Sequence, residues 1–339
     1  MKTSTVLLLA FASAASLPLR AQPPPQPPPP PCTPGPDVVC GQQAPEDIVA
    51  VGPNWVVAGA YSGTGGVMLV RVRDRTSFQA YPSVTARDRL DKKTYPMCPG
   101  PPGKGSDRFQ THGVYVSPGN NVVKLFVVGH GARESIEVFE VDTKPATPVL
   151  TWIGCVEAPY PVGLNSVRGL SDGGFITTNF LPRGGTQEAT QKMLGGEKNG
   201  ELWEWHTASG WQKIPGSEAA GANGVELSDD GKTIYAAAWG SQSFFRLSRG
   251  ETPPKRDEIP LGFRVDNIHW AKDGTLWAVG QGEQNWKAVK IDPKTLAVRD
   301  VLTQADTPGF AAGTVVLEVG KDLWVGSYRS NRIAIVPAP

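Results

Sequence analysis

The sequence predicts an all-β protein: a six-bladed β-propeller with four-stranded blades around a central channel. Three observations carry that prediction. The 339 residues include 39 Gly and 32 Pro, and long segments with a helical apolar period are scarce, which favours short strands and tight turns. Six segments repeat one grammar: a polar residue, an alternating strand, a turn containing Gly, Asp or Asn, and a second strand often ending in small residues. These segments begin 66, 53, 58, 43 and 48 residues apart, which fits blades of about 40 to 50 residues with loop insertions.

Residues 1–21 hold one Lys, an apolar stretch and then small residues, the pattern of a signal peptide with cleavage after Ala14 or Ala21. Export to the periplasm or beyond is the expectation. The apolar run is broken by Ser and Pro and falls short of the ~20 residues of a spanning helix, so no stable membrane insertion is expected. Residues 22–36 are dominated by proline, which cannot donate to a strand ladder, and read as an extended polyproline II tether. Residues 37–339 form the propeller. Of the four cysteines, Cys98 with Cys155 and Cys32 with Cys40 is the pairing expected in an exported chain, out of three possible connectivities.

The repeats are "EDIVAVGPNWVVAGA" from Glu46, "HGVYVSPGNNVVKLFVVGH" from His112, "NSVRGLSDGGFITTN" from Asn165, "NGVELSDDGKTIYAAAWG" from Asn223, "DNIHWAKDGTLWAVG" from Asp266 and "TVVLEVGKDLWVGSY" from Thr314. Third strands follow in several, such as "SIEVFEVD" and "SFFRLSR". The last repeat runs out after three strands. The segment from Pro36 to Gln42 supplies the expected fourth, closing the ring and removing an exposed sheet edge.

In a propeller the first strand of each blade lines the channel, so the residues heading these strands meet at the axis. They are Glu46, His112, Asn165, Asn223, the pair Asp266 and Asn267, and Thr314. Each has a plainer reading: Asn223-Gly224 is also a hairpin-turn signal, although "SEAAGA" before it is a poor strand and the turn fits better at Asp229 to Gly231. Recurring at one phase of the repeat, the carboxylate and amide oxygens match what Ca²⁺ prefers, whereas zinc would want His or Cys.

The ordered set "PEDI", "THGVYVSP", "VVGHGARESIEVFEVD", "LNSV", "GANGVELSDDGKTIY", "VDNI" and "GTVV", running from about Glu46 to the C-terminus, resembles the six-bladed propellers of the paraoxonase and gluconolactonase superfamily, more closely their paraoxonase and arylesterase branch. The resemblance implies one catalytic Ca²⁺ held by Glu46, Asn165, Asn223, Asp266 and Asn267. It also implies that His112 is the general base and His130 its partner. Two positions depart from the pattern. Ser166 stands where members with a second, structural calcium carry Asp, which leaves a second ion near Asp47 and Val114 short of a carboxylate. Phe180 stands where an acidic residue often follows "TN" in the third blade.

A calcium ion polarising a carbonyl, with a histidine base of ordinary pKa ~6.5, makes hydrolysis of lactones or aryl esters the expected chemistry. A gluconolactonase-type sugar-lactone hydrolase, or a propeller that binds a ligand or partner without turnover, are the alternatives. No GxSxG elbow and no HExxH motif occurs, which argues against a serine hydrolase and a zincin. The formal net charge of +1 gives no bias toward nucleic acid, so the expected partner is a small-molecule substrate. Residues 181–200 interrupt the third blade with a polar, Gly-rich insertion that reads either as a lid over the channel mouth or as a surface loop. Oligomeric state has no signature in the sequence.

Overall fold

The computed structural model describes residues 28–103 and 108–339. The proposed signal peptide and the first part of the proline tether lie outside these residues. Six antiparallel four-stranded blades follow one another along the chain, the second carrying a short fifth strand in parallel at its outer edge, and their innermost strands close a ring in sequence order. These innermost strands are Ile48–Val51, Phe109–Val116, Leu164–Gly169, Ala222–Leu227, Arg264–Trp270 and Gly313–Val319, for blades one to six. The protein is the expected six-bladed propeller.

Alternation along the strands explains why the blades stack. In the second strand of blade four, Thr233–Ala238, Ile234 and Ala236 pack toward blade three beside Ile176 and Leu202. Their neighbours Tyr235 and Ala237 face blade five beside Val265, Ile268 and Leu276. Successive side chains point to opposite faces of a strand, and here both faces are covered, so the strand reads as continuous apolar sequence. The core therefore lies in the wedges between blades.

Ring closure falls where the repeat count placed it. Val38–Val39 pairs antiparallel with Ile333–Pro337, as Val38 with Ala334 and Val39 with Ile333, and completes blade six. Cys32–Cys40 holds this N-terminal segment, and Pro30 accepts hydrogen bonds from Asn331 (3.0 Å) and Arg332 (2.7 Å). The long first spacing comes from the segment between Tyr81 and Phe109. It adds the short strand Arg87–Asp88 outside blade two and is tied to that blade's outer strand by Cys98–Cys155.

The insertion at 181–200 contains an α-helix, Gln187–Leu194, whose N-cap Thr186 accepts a hydrogen bond from the Ala189 amide. Its Met193 is buried against Gly221 and Gly240: a Cβ on Gly221 would lie 2.6 Å from the Met193 sulfur. Glycine is required there because the backbone has φ +66° and the sulfur occupies the space. The insertion is a helix docked beside the site end of blades three and four, which neither sequence reading described.

Candidate functional site

The backbone first brings the site together. Register shifts interrupt the innermost strands between Thr111 and Val114, Leu164 and Val167, Ala222 and Val225, Val265 and Ile268, and Gly313 and Val315. Each bulge contains the repeat-heading residue: His112, Asn165, Asn223, the Asp266 and Asn267 pair, and Thr314. A bulge re-aims a side chain out of the pleat, and these turn into the channel. In blade one Glu46 enters just before the strand begins. Glycines let adjacent strands approach at this level. A Cβ on Gly113 would lie 2.6 Å from the Asn165 carbonyl oxygen, and one on Gly224 would lie 2.6 Å from both the Asp266 carbonyl oxygen and the Ile268 nitrogen.

Glu46, Asn165, Asn223, Asp266 and Asn267 are all buried. Asn267 Nδ2 donates to Glu46 Oε1 at 2.7 Å, and Thr314 Oγ1 donates to the Glu46 carbonyl at 2.5 Å, so threonine braces the ring rather than offering a free oxygen. Three buried oxygens in this lower tier have no hydrogen-bond partner among the described residues: Glu46 Oε2, Asn165 Oδ1 and Asn223 Oδ1. They come from blades one, three and four. Orphaned buried acceptors are costly and call for an explanation such as a bound ion. Burial, then the charges of Asp266 and Asp47, push the Glu46 carboxyl well above its ordinary value. Burial likewise pushes Asp266 up to about 6, against the pull of its hydrogen bond from Gln281. Two carboxylates held in one dry space with partnerless amide oxygens make a donor set of hard oxygens that fits Ca²⁺. Among the described residues, no group of three or more His, Cys, Asp or Glu side chains forms a metal cluster, so the fit depends on the asparagines.

An upper tier sits one step nearer the end from which the inner strands start. It consists of one residue within two positions of the end of each blade's second strand: Tyr61, His130, Phe180, Trp239, Gln281 and Tyr328. Gln281 Nε2 donates to Asp266 Oδ2 at 2.7 Å while its Oε1 accepts from Trp239 Nε1 at 2.8 Å. The Tyr61 ring lies 4.4 Å from the His112 ring, centroid to centroid. Phe180, in place of an acidic residue, packs edge-on against Trp239 at 5.7 Å.

The two expected histidines are joined. His112 Nδ1 lies 3.0 Å from His130 Nε2, and His130 Nδ1 lies 2.9 Å from Glu134 Oε2. The Leu164 amide donates to the other Glu134 oxygen at 2.6 Å. Glu134 accepts, so His130 carries its proton on Nδ1 and accepts from His112 Nδ1–H. That leaves the lone pair of His112 Nε2 facing the lower tier, 3.5 Å from Glu46 Oε2 and 3.4 Å from Asn165 Nδ2. Burial, then the neighbouring His130, hold the His112 imidazole well below its ordinary pKa, which keeps it neutral. Glu134 lies within the "VVGHGARESIEVFEVD" stretch but was not expected as a site residue; its signal is the four-residue spacing from His130.

Deeper in the channel Asp47 is already fully engaged. Val114 N–H donates to Asp47 Oδ2 at 2.8 Å, and His269 Nε2 meets Oδ1 at 2.7 Å. Burial lowers the His269 pKa, but the Asp47 and Glu226 carboxylates overcome it and bring it up to about 10. Glu226 in turn accepts from Arg168 Nε at 2.8 Å. An imidazolium thus meets the charge of Asp47, and Val114 offers it an N–H. A cavity of about 840 Å³ at the opposite end, lined by first-hairpin turns including Ser117, Ser171 and Ser228, contains no residue of either tier.

No protein-family description matches this sequence, and no curated protein matches it. Solved structures share its fold. A luciferin-regenerating enzyme aligns with TM-score 0.55 at 13% identity, over 88% of this chain and 91% of its own. A gluconolactonase from Xanthomonas campestris aligns with TM-score 0.54 at 14% identity, over 89% and 88%. Regucalcin from Agrobacterium tumefaciens, a calcium-binding protein, aligns with TM-score 0.54 at 12% identity, over 89% and 93%. At these identities the likeness is one of fold.

Proposed function

We propose that the chain is an exported, calcium-dependent hydrolase of lactones or aryl esters. Glu46, Asn165, Asn223, Asp266 and Asn267 hold one Ca²⁺, and His112 is the general base, seconded by His130. The observation that carries this reading is a set of three partnerless buried oxygens from three blades beside a neutral histidine whose Nε2 lies 3.5 Å from one of them, Glu46 Oε2. Calcium, when bound, supplies a Lewis acid for the substrate carbonyl.

The rest is work for this chain's own side chains. Gln281 orients Asp266, and Asn267 orients Glu46, so both carboxylates present a fixed edge to the channel. His112 takes a proton from the attacking water at Nε2. Its own Nδ1 proton then moves to His130 Nε2, and the His130 Nδ1 proton is stabilised by Glu134 Oε2. His130 is partly exposed, which gives the proton a way to solvent. Tyr61, Phe180 and Trp239 bring apolar surface to the channel mouth and help exclude water from the carbonyl.

The gluconolactonase and the calcium-binding regucalcin that share the fold support the reaction class and the ion. Two disulfides and the signal-like N-terminus support export. The test is hydrolysis of a panel of γ- and δ-lactones and phenyl acetate before EDTA, after EDTA and after Ca²⁺ is returned. The expected outcome is activity that disappears and recovers. A folded, calcium-loaded chain that turns over nothing in the panel would instead favour a ligand-binding propeller.

A further inference from the structure

Two residues before each lower-tier residue the six blades have an equivalent position, occupied by Ala44, Gln110, Gly163, Gly221, Arg264 and Ala312. In the first five blades it lies beside the upper-tier residue of its own blade. The Tyr61, Phe180 and Trp239 amides donate to the carbonyls of Ala44, Gly163 and Gly221, while Gln110 pairs with His130 and Arg264 with Gln281. Only blade five places a charged side chain at this level.

Among the described residues Arg264 has no counter-ion. Its guanidinium carbon lies 4.5 Å from the centroid of Trp239, whose indole N–H is bonded to Gln281, itself bonded to Asp266. Nη1 of Arg264 is shut off from solvent and has no hydrogen-bond partner among the described residues. Burial alone moves its pKa, downward. Other partly buried arginines meet a carboxylate, as Arg133 with Glu137, Arg168 with Glu226, Arg249 with Glu204 and Arg256 with Glu258, or a backbone carbonyl, as Arg183 with Ala158 and Arg332 with Pro30; among the described residues Arg264 meets neither. A half-buried cation without a partner is costly, and a planar guanidinium stacked on an aromatic ring is pre-organised to take a carboxylate through two parallel hydrogen bonds.

We infer that Arg264 is the point at which the site recognises an anionic group on its substrate, so that the preferred substrates are lactones bearing a carboxylate. This rests on the lactonase reading above. Asp266 is two strand steps from Arg264, about 7 Å of rise, which is about the width of a five-membered lactone with its substituent. The acid group meets Arg264 while the ring carbonyl lies over the lower tier. Stacking on Trp239 fixes the plane of the guanidinium and hence the orientation of the ring.

The test compares kcat/KM for γ-butyrolactone-γ-carboxylate with that for γ-valerolactone, in which a methyl group replaces the acid, in wild type, Arg264→Met and Arg264→Lys, with thermal melts to establish folding. The wild type is expected to prefer the acid by roughly 10- to 100-fold, the usual weight of a charge-assisted pair against its absence. Arg264→Met brings the ratio to about one, and Arg264→Lys retains part of it. A wild type without preference, or a preference that survives Arg264→Met, overturns the inference; in the second case the carboxylate is read elsewhere. If Arg264→Met does not fold, the Lys variant and the wild-type ratio still decide. If wild type hydrolyses neither lactone, the lactonase reading fails on its own. Arg264 is then tested by melting in the presence of 2-hydroxyglutarate, the ring-opened acid. Stabilisation of wild type that is lost in the variant supports the anion site, and equal shifts overturn it.

Discussion

Asp266 and Glu46 sit where burial makes ionisation costly, and at this scale the site is an electrostatic problem that a cation solves. In calcium-free protein Asp266 titrates near 6 rather than at its ordinary 3.8. Between those values the folded state binds more protons than the unfolded state, so calcium-free protein loses stability as pH rises from about 4 to 6. Added Ca²⁺ restores stability above pH 6 and has little effect below it; melting curves with EDTA and with calcium across pH 4 to 8 check this. His269 works in the opposite sense. Its folded pKa of about 10 exceeds the ordinary 6.5, so its contribution is full below pH 6.5 and is lost as pH rises through 10. Replacing His269 by Gln leaves the buried Asp47 without its cation, while Glu226 keeps Arg168, and is expected to cost about 3–5 kcal/mol at neutral pH, measured by urea unfolding. His112→Gln is expected to lower lactone kcat by roughly 10² to 10⁴-fold while calcium affinity, read by calorimetry, changes far less. The lower tier was legible because each of its members heads a repeat and its oxygens share one chemistry. Of the tier above, Phe180 was noted only as a departure from the family pattern, and Tyr61, Gln281 and Tyr328 were not recognised because no single residue type recurs at that position around the ring.

The inner strand, with its bulge, is the element that turns a repeat into a site. Five of the six inner strands are irregular at the site level, and the glycines at 113 and 224 let neighbouring strands close to backbone contact there. Gly224→Ala would drive a methyl group into the backbone of Asp266 and Ile268, and is expected to destabilise the fold by about 1–3 kcal/mol and to weaken calcium binding, since the displaced strand carries two of the ligands. Thermal melts and calcium titration of this one variant check both effects. Strand order and blade count could be read from the alternation and the turns. The bulges could not, because a register shift of one residue leaves the apolar pattern on either side intact. The helix at Gln187–Leu194 was missed for a different reason: with Met193 as its buried anchor, eight residues carry too little apolar periodicity to separate a helix from a loop.

For the whole molecule, closure decides stability. Val38–Val39 completes blade six and is held by Cys32–Cys40, while Cys98–Cys155 fastens the longest connection between blades. Deleting residues 1–42 removes that strand and exposes the edge of Ile333–Pro337, so the truncated chain is expected to melt lower and to associate, as seen by light scattering. The ring also sets the number of ions. Every blade contributes to one level of the channel, and the level below it is occupied by the His269 imidazolium on Asp47.

The most direct test is therefore calorimetric titration of Ca²⁺ into the metal-free chain, beside Asn165→Ala and Asn223→Ala. The expected result is one ion per chain, with affinity lowered at least tenfold in each variant. No binding by the folded wild type, two ions per chain, or affinity untouched by both substitutions would contradict the assignment of the ring.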